Sequence, residues 1–125
     1  MNKPIHTPNA PAAIGPYSQA VQAGSLLFVS GQLPLDPATG AFAGEDIASQ
    51  TRQSLTNVRN ILEAAGYSCA DVVKTTVLLA DIADFAAMNA VYAEFFTENC
   101  PARAAFAVKD LPKGALVEIE AVANR

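Results

Sequence analysis

Histidine and cysteine are nearly absent from this sequence, and their scarcity excludes several kinds of active site. His6 is the only histidine and lies in a proline-rich segment, and Cys69 and Cys100 are the only cysteines. A histidine-based metal centre and a Ser-His-Asp triad both need histidine beside other functional groups. Two cysteines also fall far short of a disulfide-rich secreted scaffold. We expect none of these sites here.

Charge is scarce as well, and no basic cluster is present. The 125 residues carry a formal net charge of −4, only 16% of them are charged, and the basic residues are scattered from Lys3 to Arg125. Proteins that bind nucleic acids concentrate basic residues to neutralise phosphates. No stretch reaches the roughly 20 apolar residues that cross a bilayer, and the N-terminus lacks a secretory apolar core. We therefore expect no nucleic-acid or membrane partner and a cytoplasmic protein with free thiols.

Glycine-rich and zinc-binding motifs are missing too. Gly31, Gly40 and Gly44 match neither a phosphate-binding loop nor a dinucleotide fingerprint. The pair Cys100-Pro101 lacks the second cysteine and the His-x-Glu element of the zinc nucleobase deaminases. Any catalysis is therefore expected to work without a metal, a nucleotide or a histidine base.

What is present is the pattern of a single α+β domain over residues 1–125. Prolines at four positions before residue 17 favour an extended arm. The predicted elements are a hairpin with its turn at Gly24-Ser25, a loop at 36–40, a helix from Glu45 to Ala65, a strand from Val72 to Ala80, a helix from Asp84 to Thr97, a strand from Arg103 to Lys109, a turn at 111–114 and a strand over 116–124. The order ββ-α-β-α-ββ predicts one mixed sheet with two helices on one face.

The first helix has the clearest periodicity. Its predicted buried face consists of Ile47, Thr51, Leu55, Val58, Leu62 and Ala65, which recur at spacings of three and four. Gln50 and Asn57 fall largely elsewhere on the helical wheel, so we expect them outside the core. Asp81 or Asp84 is expected to cap the second helix.

Apolar residues occur on both faces of the predicted sheet, which raises a packing problem. The last strand alternates Val117, Ile119 and Ala121 with Leu116, Glu118, Glu120 and Val122. The second strand of the hairpin alternates Leu27 and Val29 with Leu26, Phe28 and Ser30. The strand before the last one alternates Phe106 and Val108 with Arg103, Ala105 and Ala107. Two helices cover only one face. The other face is therefore expected to be buried against another subunit.

The remaining polar candidates for a site are few. They are Tyr17, Ser30, Gly31, Asn89, Arg103, Glu118 and Glu120. Each also has a structural interpretation: Arg103 as a salt-bridge residue, the glutamates as the wet side of a strand, and Ser30-Gly31 as a β-bulge. Strand alternation places Arg103, Ser30 and Glu118 on sides that could converge. Because an arginine fork binds carboxylates and a glutamate can position water, the residues indicate a small carboxylate-bearing ligand and leave the reaction open.

Five blocks of the sequence closely resemble the Rid family of reactive intermediate deaminases, formerly called YjgF. They are IGPYSQAVQAG (14–24), LLFVSGQLPLDPATG (26–40), a helix ending in ILEAAGYS, MNAVYAEFF (88–96) and PARAAFAVKDLPKGALVEIEA (101–121). The resemblance covers nearly the whole chain, and the last block is the most specific.

This resemblance implies a chorismate-mutase-like fold in which open sheet faces meet inside a homotrimer. It also implies active sites in clefts between subunits, so that each site draws residues from two chains. The implied reaction is hydrolysis of 2-imino or enamine acids, such as 2-iminobutanoate and 2-iminopropanoate, to 2-keto acids and ammonia. The resemblance implies no cofactor.

Matched by position, Arg103 corresponds to the arginine that clamps the substrate carboxylate. Glu118 corresponds to the glutamate that orients water or supports the iminium nitrogen. The cleft-lining positions correspond to Tyr17, Ser30, Gly31 and Asn89, with Gly31 acting through its backbone. Ala105 stands where many members have a cysteine, which excludes a thiol role there and leaves only its backbone groups.

Two alternatives stay open. The first is a trimeric protein that binds 2-keto acids without turnover or acts as a chaperone, because it would use the same arginine. The second is ribonuclease activity, which has been attributed to some relatives. The acidic charge and the lack of a histidine base argue against it.

Overall fold

The computed structural model describes all of residues 1–125 and contains one six-stranded sheet with two α-helices. The strands are β1 (Lys3–Ile5), β2 (Ala20–Ala23), β3 (Leu26–Gln32), β4 (Val72–Leu79), β5 (Ala102–Ala107) and β6 (Val117–Asn124), and the helices are α1 (Ile47–Ala64) and α2 (Phe85–Phe95). The spatial order is β1-β2-β3-β6-β4-β5, in which only β4 and β5 run parallel. The predicted mixed α+β class is confirmed. Neither helix combines the length and apolar character needed to cross a membrane.

Side-chain caps explain where the helices begin. The carboxylate of Asp46 accepts a hydrogen bond from the Ser49 N–H at 3.0 Å, so α1 starts two residues later than predicted. Asp84 precedes α2 but makes no capping hydrogen bond. Asp81 instead accepts from the Ala83 N–H at 2.9 Å and caps the short 3-10 turn that leads into α2.

Both helices pack on one face of the sheet, where the core lies. Val77, Ile119 and Ala121 point to this covered face and are at most 3% exposed. They pack with apolar residues of α1 and α2 such as Leu55 and Met88. Alternate residues of each strand must point away from this core.

The other face of the sheet, here called the open face, has no helix on it. Phe28 and Phe106 lie there and are each 46% exposed. Leu78 pairs with Phe106 on one side and Glu118 on the other, so these three side chains form one row across β5, β4 and β6. The open face thus carries apolar side chains with a few polar ones set among them, which include both Glu118 and Glu120, as the alternation predicted.

The N-terminal arm contributes a strand that the predicted order lacks. β1 lies within the proline-rich segment and pairs with β2, with Ile5 opposite Ala20. The buried amide of Gln19 holds the arm in place. Its Oε1 accepts from the Thr7 N–H at 2.7 Å, while its Nε2 donates to backbone carbonyls that include Pro11 O at 2.8 Å.

Two amide side chains of α1 were wrongly expected outside the core. Gln50 is 3% exposed, and its Oε1 accepts from the Leu116 N–H at 2.8 Å. Asn57 is fully buried, and its Nδ2 donates to the carbonyls of Leu33 and Leu35. Periodicity misplaced them because it sorts residues by polarity, whereas a buried amide is tolerated when loop backbone satisfies it.

Replacing Gln19 with alanine is expected to destabilise the protein by about 2–4 kcal/mol, because buried backbone groups lose their partners. Urea denaturation measures this loss. Gln22→Ala is the matched control, since the Gln22 amide makes only one 3.4 Å donation, to Gly24 O. Equal losses in the two variants would contradict the proposed role of Gln19.

Candidate functional site

Arg103 lies on the edge strand β5, on the covered face of the sheet. Its strand partner is Thr75, which is 1% exposed beneath α2. One guanidinium nitrogen, Nη1, donates to Oδ1 of Asn89 at 2.7 Å. The guanidinium carbon lies 4.7 Å from the centre of the Tyr92 ring and 5.4 Å from that of Phe85. The side chain is therefore held by a hydrogen bond from its guanidinium group and by contacts with two aromatic rings.

A cavity of about 440 Å³ opens beside this guanidinium. It is lined by Asn89, Tyr92, Ala93, Phe96, Cys100, Pro101 and Arg103. The only salt bridge in the chain joins Arg52 to Glu94, so no carboxylate of the same chain neutralises Arg103. A fixed guanidinium with free donors at a cavity is suited to bind a carboxylate.

Glu118 lies on the opposite, open face, next to Gly31. The β3–β6 register shifts between Val29 and Gln32, which confirms the bulge interpretation of Ser30-Gly31. A Cβ atom on residue 31 would collide with Oε2 of Glu118 and lie 3.0 Å from its Cδ. The Glu118 carboxyl group therefore occupies the space that a side chain at position 31 would need, and a larger residue there would displace it.

Ser30 and Tyr17 lie close to Gly31 and Glu118. The Ser30 hydroxyl donates to the Ser18 carbonyl at 2.6 Å, which ties the bulge to the arm. Tyr17 is 54% exposed. It lines a cavity of about 400 Å³ together with Pro11, Ala12, Ile14, Gln19, Gly31, Gln32, Leu33, Leu35, Pro112 and Lys113.

Burial raises the pKa of the Glu118 carboxyl, and the nearby charge of Glu120 raises it further. No hydrogen bond or ion pair from the same chain reaches this carboxyl group. A carboxylate that is partly desolvated and unpaired is a poor structural element and a good proton acceptor.

The structure thus divides the candidate residues into two half-sites on opposite faces of the sheet. Half-site A contains Arg103 and Asn89. Ala105 belongs to it as well, because it pairs with the buried Val77 and so lies on the same covered face of β5 as Arg103. Half-site B contains Glu118, Gly31, Ser30 and Tyr17. The expected convergence of Arg103 with Ser30 and Glu118 does not occur within one chain.

Sequence comparison identifies the family. The model of the family described as endoribonuclease L-PSP matches residues 7–125. A 2-iminobutanoate/2-iminopropanoate deaminase of Salmonella typhimurium is 56% identical over 128 residues, which cover 100% of this chain and 99% of that protein. The chain belongs to the YjgF/RidA family.

Other members of the YjgF/RidA family carry different names. A RutC family protein of Pyrococcus horikoshii is 58% identical over 125 residues, covering 100% of this chain and 99% of the relative. Among solved structures, E. coli TdcF with bound serine superposes with a TM-score of 0.95 at 48% identity and covers 98% of both chains. Family and fold are therefore shared among proteins whose names do not all state an activity.

Two residues that border the half-sites were not singled out as candidates from the sequence. Tyr92 lies within the predicted second helix, and its ring supports Arg103. Its spacing of three from Asn89 could have revealed it, because residues three apart share a helix face. Lys113, in the predicted turn, lines the Tyr17 cavity. Only the folded turn brings it there.

Glu118→Gln is expected to make the protein more stable at pH 7. The folded-state pKa of Glu118 is raised, so the folded chain holds its proton more tightly than the unfolded chain, and ionisation disfavours folding as pH rises. The gain should disappear below pH 4.5, the ordinary pKa of a glutamate carboxyl, because the group is then protonated in both states. Urea midpoints at pH 7 and pH 4 test this, with the exposed Glu98→Gln as control. A loss of stability at pH 7 would show that Glu118 has a stabilising partner.

Proposed function

We propose that the protein hydrolyses 2-iminobutanoate and 2-iminopropanoate to 2-keto acids and ammonia, as a homotrimer with its active sites between subunits. The observation that carries the proposal is Arg103, a fixed guanidinium without a carboxylate partner at the mouth of a cavity. We also propose a cytoplasmic location, in keeping with the free thiols of Cys69 and Cys100.

Arg103 would bind the substrate carboxylate. Its Nη1 is used by Asn89, and the remaining N–H groups are free to form the two parallel hydrogen bonds of an arginine–carboxylate pair. The TdcF structure contains serine, a ligand with a carboxylate, and this supports the same ligand class here. In this arrangement Asn89 would act on the substrate through Arg103.

A second copy of the chain would complete the site. Arg103 and Glu118 lie on opposite faces of one sheet, so one ligand cannot contact both within a chain. The open face offers Phe28, Phe106 and Leu78 as apolar contact surface, which is the kind of surface that subunits bury. Closure around a threefold axis would bring half-site A of one copy towards half-site B of the next.

Glu118 would act on the water. Water adds to C2 of the iminium ion and releases one proton to Glu118, which returns it to the nitrogen; the C2–N bond then breaks as the hydroxyl proton passes to the leaving ammonia, which gives the keto acid and ammonium. Glu118 would orient the water and accept its proton, a task that its raised pKa favours. Because imines already hydrolyse in water, positioning and electrostatics are sufficient for catalysis.

Binding of 2-keto acids without turnover is the main alternative, since half-site A alone would support it. Endoribonuclease activity, which the family description names, has weaker support. The net charge is −4, and His6, which follows β1 in the arm, lines neither the Arg103 cavity nor the Tyr17 cavity. An RNA titration at several salt concentrations distinguishes this candidate from the others.

Arg103→Ala is expected to lower deaminase activity by at least about 100-fold, because the carboxylate loses its charged fork. In the assay, threonine dehydratase generates the imine and semicarbazide traps whatever is not hydrolysed. Arg103→Lys, which keeps the charge without the fork, should recover only part of the activity.

The matched control is Arg52→Ala, which removes an exposed arginine that pairs with Glu94 away from both half-sites. It should suppress trapping as well as wild type does. If wild type fails to suppress trapping but binds 2-oxobutanoate, the protein is a binder on a deaminase scaffold. Full activity in Arg103→Ala would refute the proposed role of the arginine.

Phe28→Glu is expected to dissociate the trimer, because a charge would be buried on the open face beside Val122. Analytical ultracentrifugation measures the assembly state, and activity should fall with the trimer. Ile82→Glu is the control: Ile82 is also an exposed apolar residue, 56% exposed, but it lies in the turn before α2. A trimeric Phe28→Glu variant would exclude this face as the interface.

A further inference from the structure

The ring of Tyr92 is the surface on which the Arg103 guanidinium rests, and this ring is itself anchored. Tyr92 is 6% exposed, and its hydroxyl group shares a 2.7 Å hydrogen bond with Oγ1 of Thr75. Thr75 is the strand partner of Arg103 in the β4–β5 ladder. The Arg103 side chain therefore rests on a ring that is hydrogen-bonded to Thr75, the residue paired with the Arg103 backbone.

The contacts of the Tyr92 ring leave it little freedom to move. Phe96 packs against Tyr92 with a centroid distance of 4.7 Å, and Thr75 fixes the far end of the phenol inside the core. Burial raises the pKa of Tyr92, so its phenol is neutral at physiological pH. A neutral aromatic face attracts a guanidinium through its quadrupole.

Besides the more distant Phe85 ring, two contacts locate the guanidinium and constrain different motions. Asn89 Oδ1 accepts in the plane of the group, at 2.7 Å, and limits rotation within that plane. The Tyr92 ring, at 4.7 Å, limits tilting out of it. A free arginine side chain has many rotamers, so both restraints reduce the entropy lost when a carboxylate binds.

We propose that Tyr92, anchored by Thr75, is a positioning residue that presents the Arg103 guanidinium to a substrate carboxylate in a bidentate orientation. The identity of that substrate rests on the proposed function. The positioning itself is a property of the chain and is testable without turnover.

The experiment uses full-length Tyr92→Phe, Thr75→Val, the double variant and the control Tyr67→Phe. Tyr67 is also 6% exposed, and its hydroxyl group also makes one hydrogen bond, a partly buried one to Ser25 O at 2.8 Å, away from Arg103. Each single variant loses one hydroxyl group and nearly keeps the shape of the side chain. Three quantities are measured: affinity for 2-oxobutanoate by calorimetry, turnover in the trapping assay, and the ring-current shift of the Arg103 side-chain N–H signal by NMR.

Tyr92→Phe and Thr75→Val are each expected to weaken 2-oxobutanoate binding by roughly three- to tenfold, the effect of losing one net hydrogen bond. The double variant should be no weaker than either single one, because both changes break the same contact. The Arg103 signal should move towards that of a free arginine. Tyr67→Phe should lower stability comparably and leave affinity and the Arg103 signal unchanged.

The two hypotheses fail in different ways. If Tyr92→Phe and Thr75→Val lose stability while affinity and the Arg103 signal match Tyr67→Phe, Tyr92 is only a core residue and the positioning role is overturned. If wild type shows no turnover but the Arg103 signal shifts in the two variants and not in the control, the positioning role stands and the deaminase proposal fails.

Discussion

The single layer of helices is the constraint from which the other features follow. A sheet has two faces, and α1 and α2 cover only the one that carries Val77 and Ile119. The strands nevertheless carry apolar side chains on both faces, so Phe28 and Phe106 remain exposed in the isolated chain. Residues 1–125 form one sheet and one layer of helices, and in the proposed trimer a second copy would cover the open face. Assembly and the site are therefore expected to be linked.

Buried amides complete the fold where secondary structure does not. Gln19 binds the arm, Asn57 binds the loop after β3, and Gln50 binds the start of β6. Each satisfies backbone groups that no strand or helix pairs. These contacts fix the arm and the segment after β3 that line the Tyr17 cavity, so a polar core shapes half-site B. Arg103 is positioned differently, by two aromatic rings and a single side-chain amide.

Local patterns in the sequence predicted the sheet, both helices and the open face, because strand alternation and helix periodicity are local properties. They did not predict β1, since prolines mask an edge strand. Gln50 and Asn57 were misplaced because their partners are distant in sequence. The candidate residues of the two half-sites were chosen largely through the family resemblance, which implied sites shared between two chains but did not assign each residue to a face of the sheet. Which face of β5 meets the helices depends on the register with β4, and no single strand contains that information.

The division of the half-sites also has an electrostatic consequence. If Arg103 and Glu118 faced each other within one chain, they would form an ion pair, and a ligand carboxylate would have to displace Glu118 from the guanidinium. Their placement on opposite faces leaves the guanidinium free for a carboxylate and leaves Glu118 partly desolvated with a raised pKa. Each group is less stable in this state than in a pair, and each would be more useful to the proposed catalysis. The sheet keeps the two charges apart within one chain, and only a neighbouring subunit of the proposed trimer would bring them into one site.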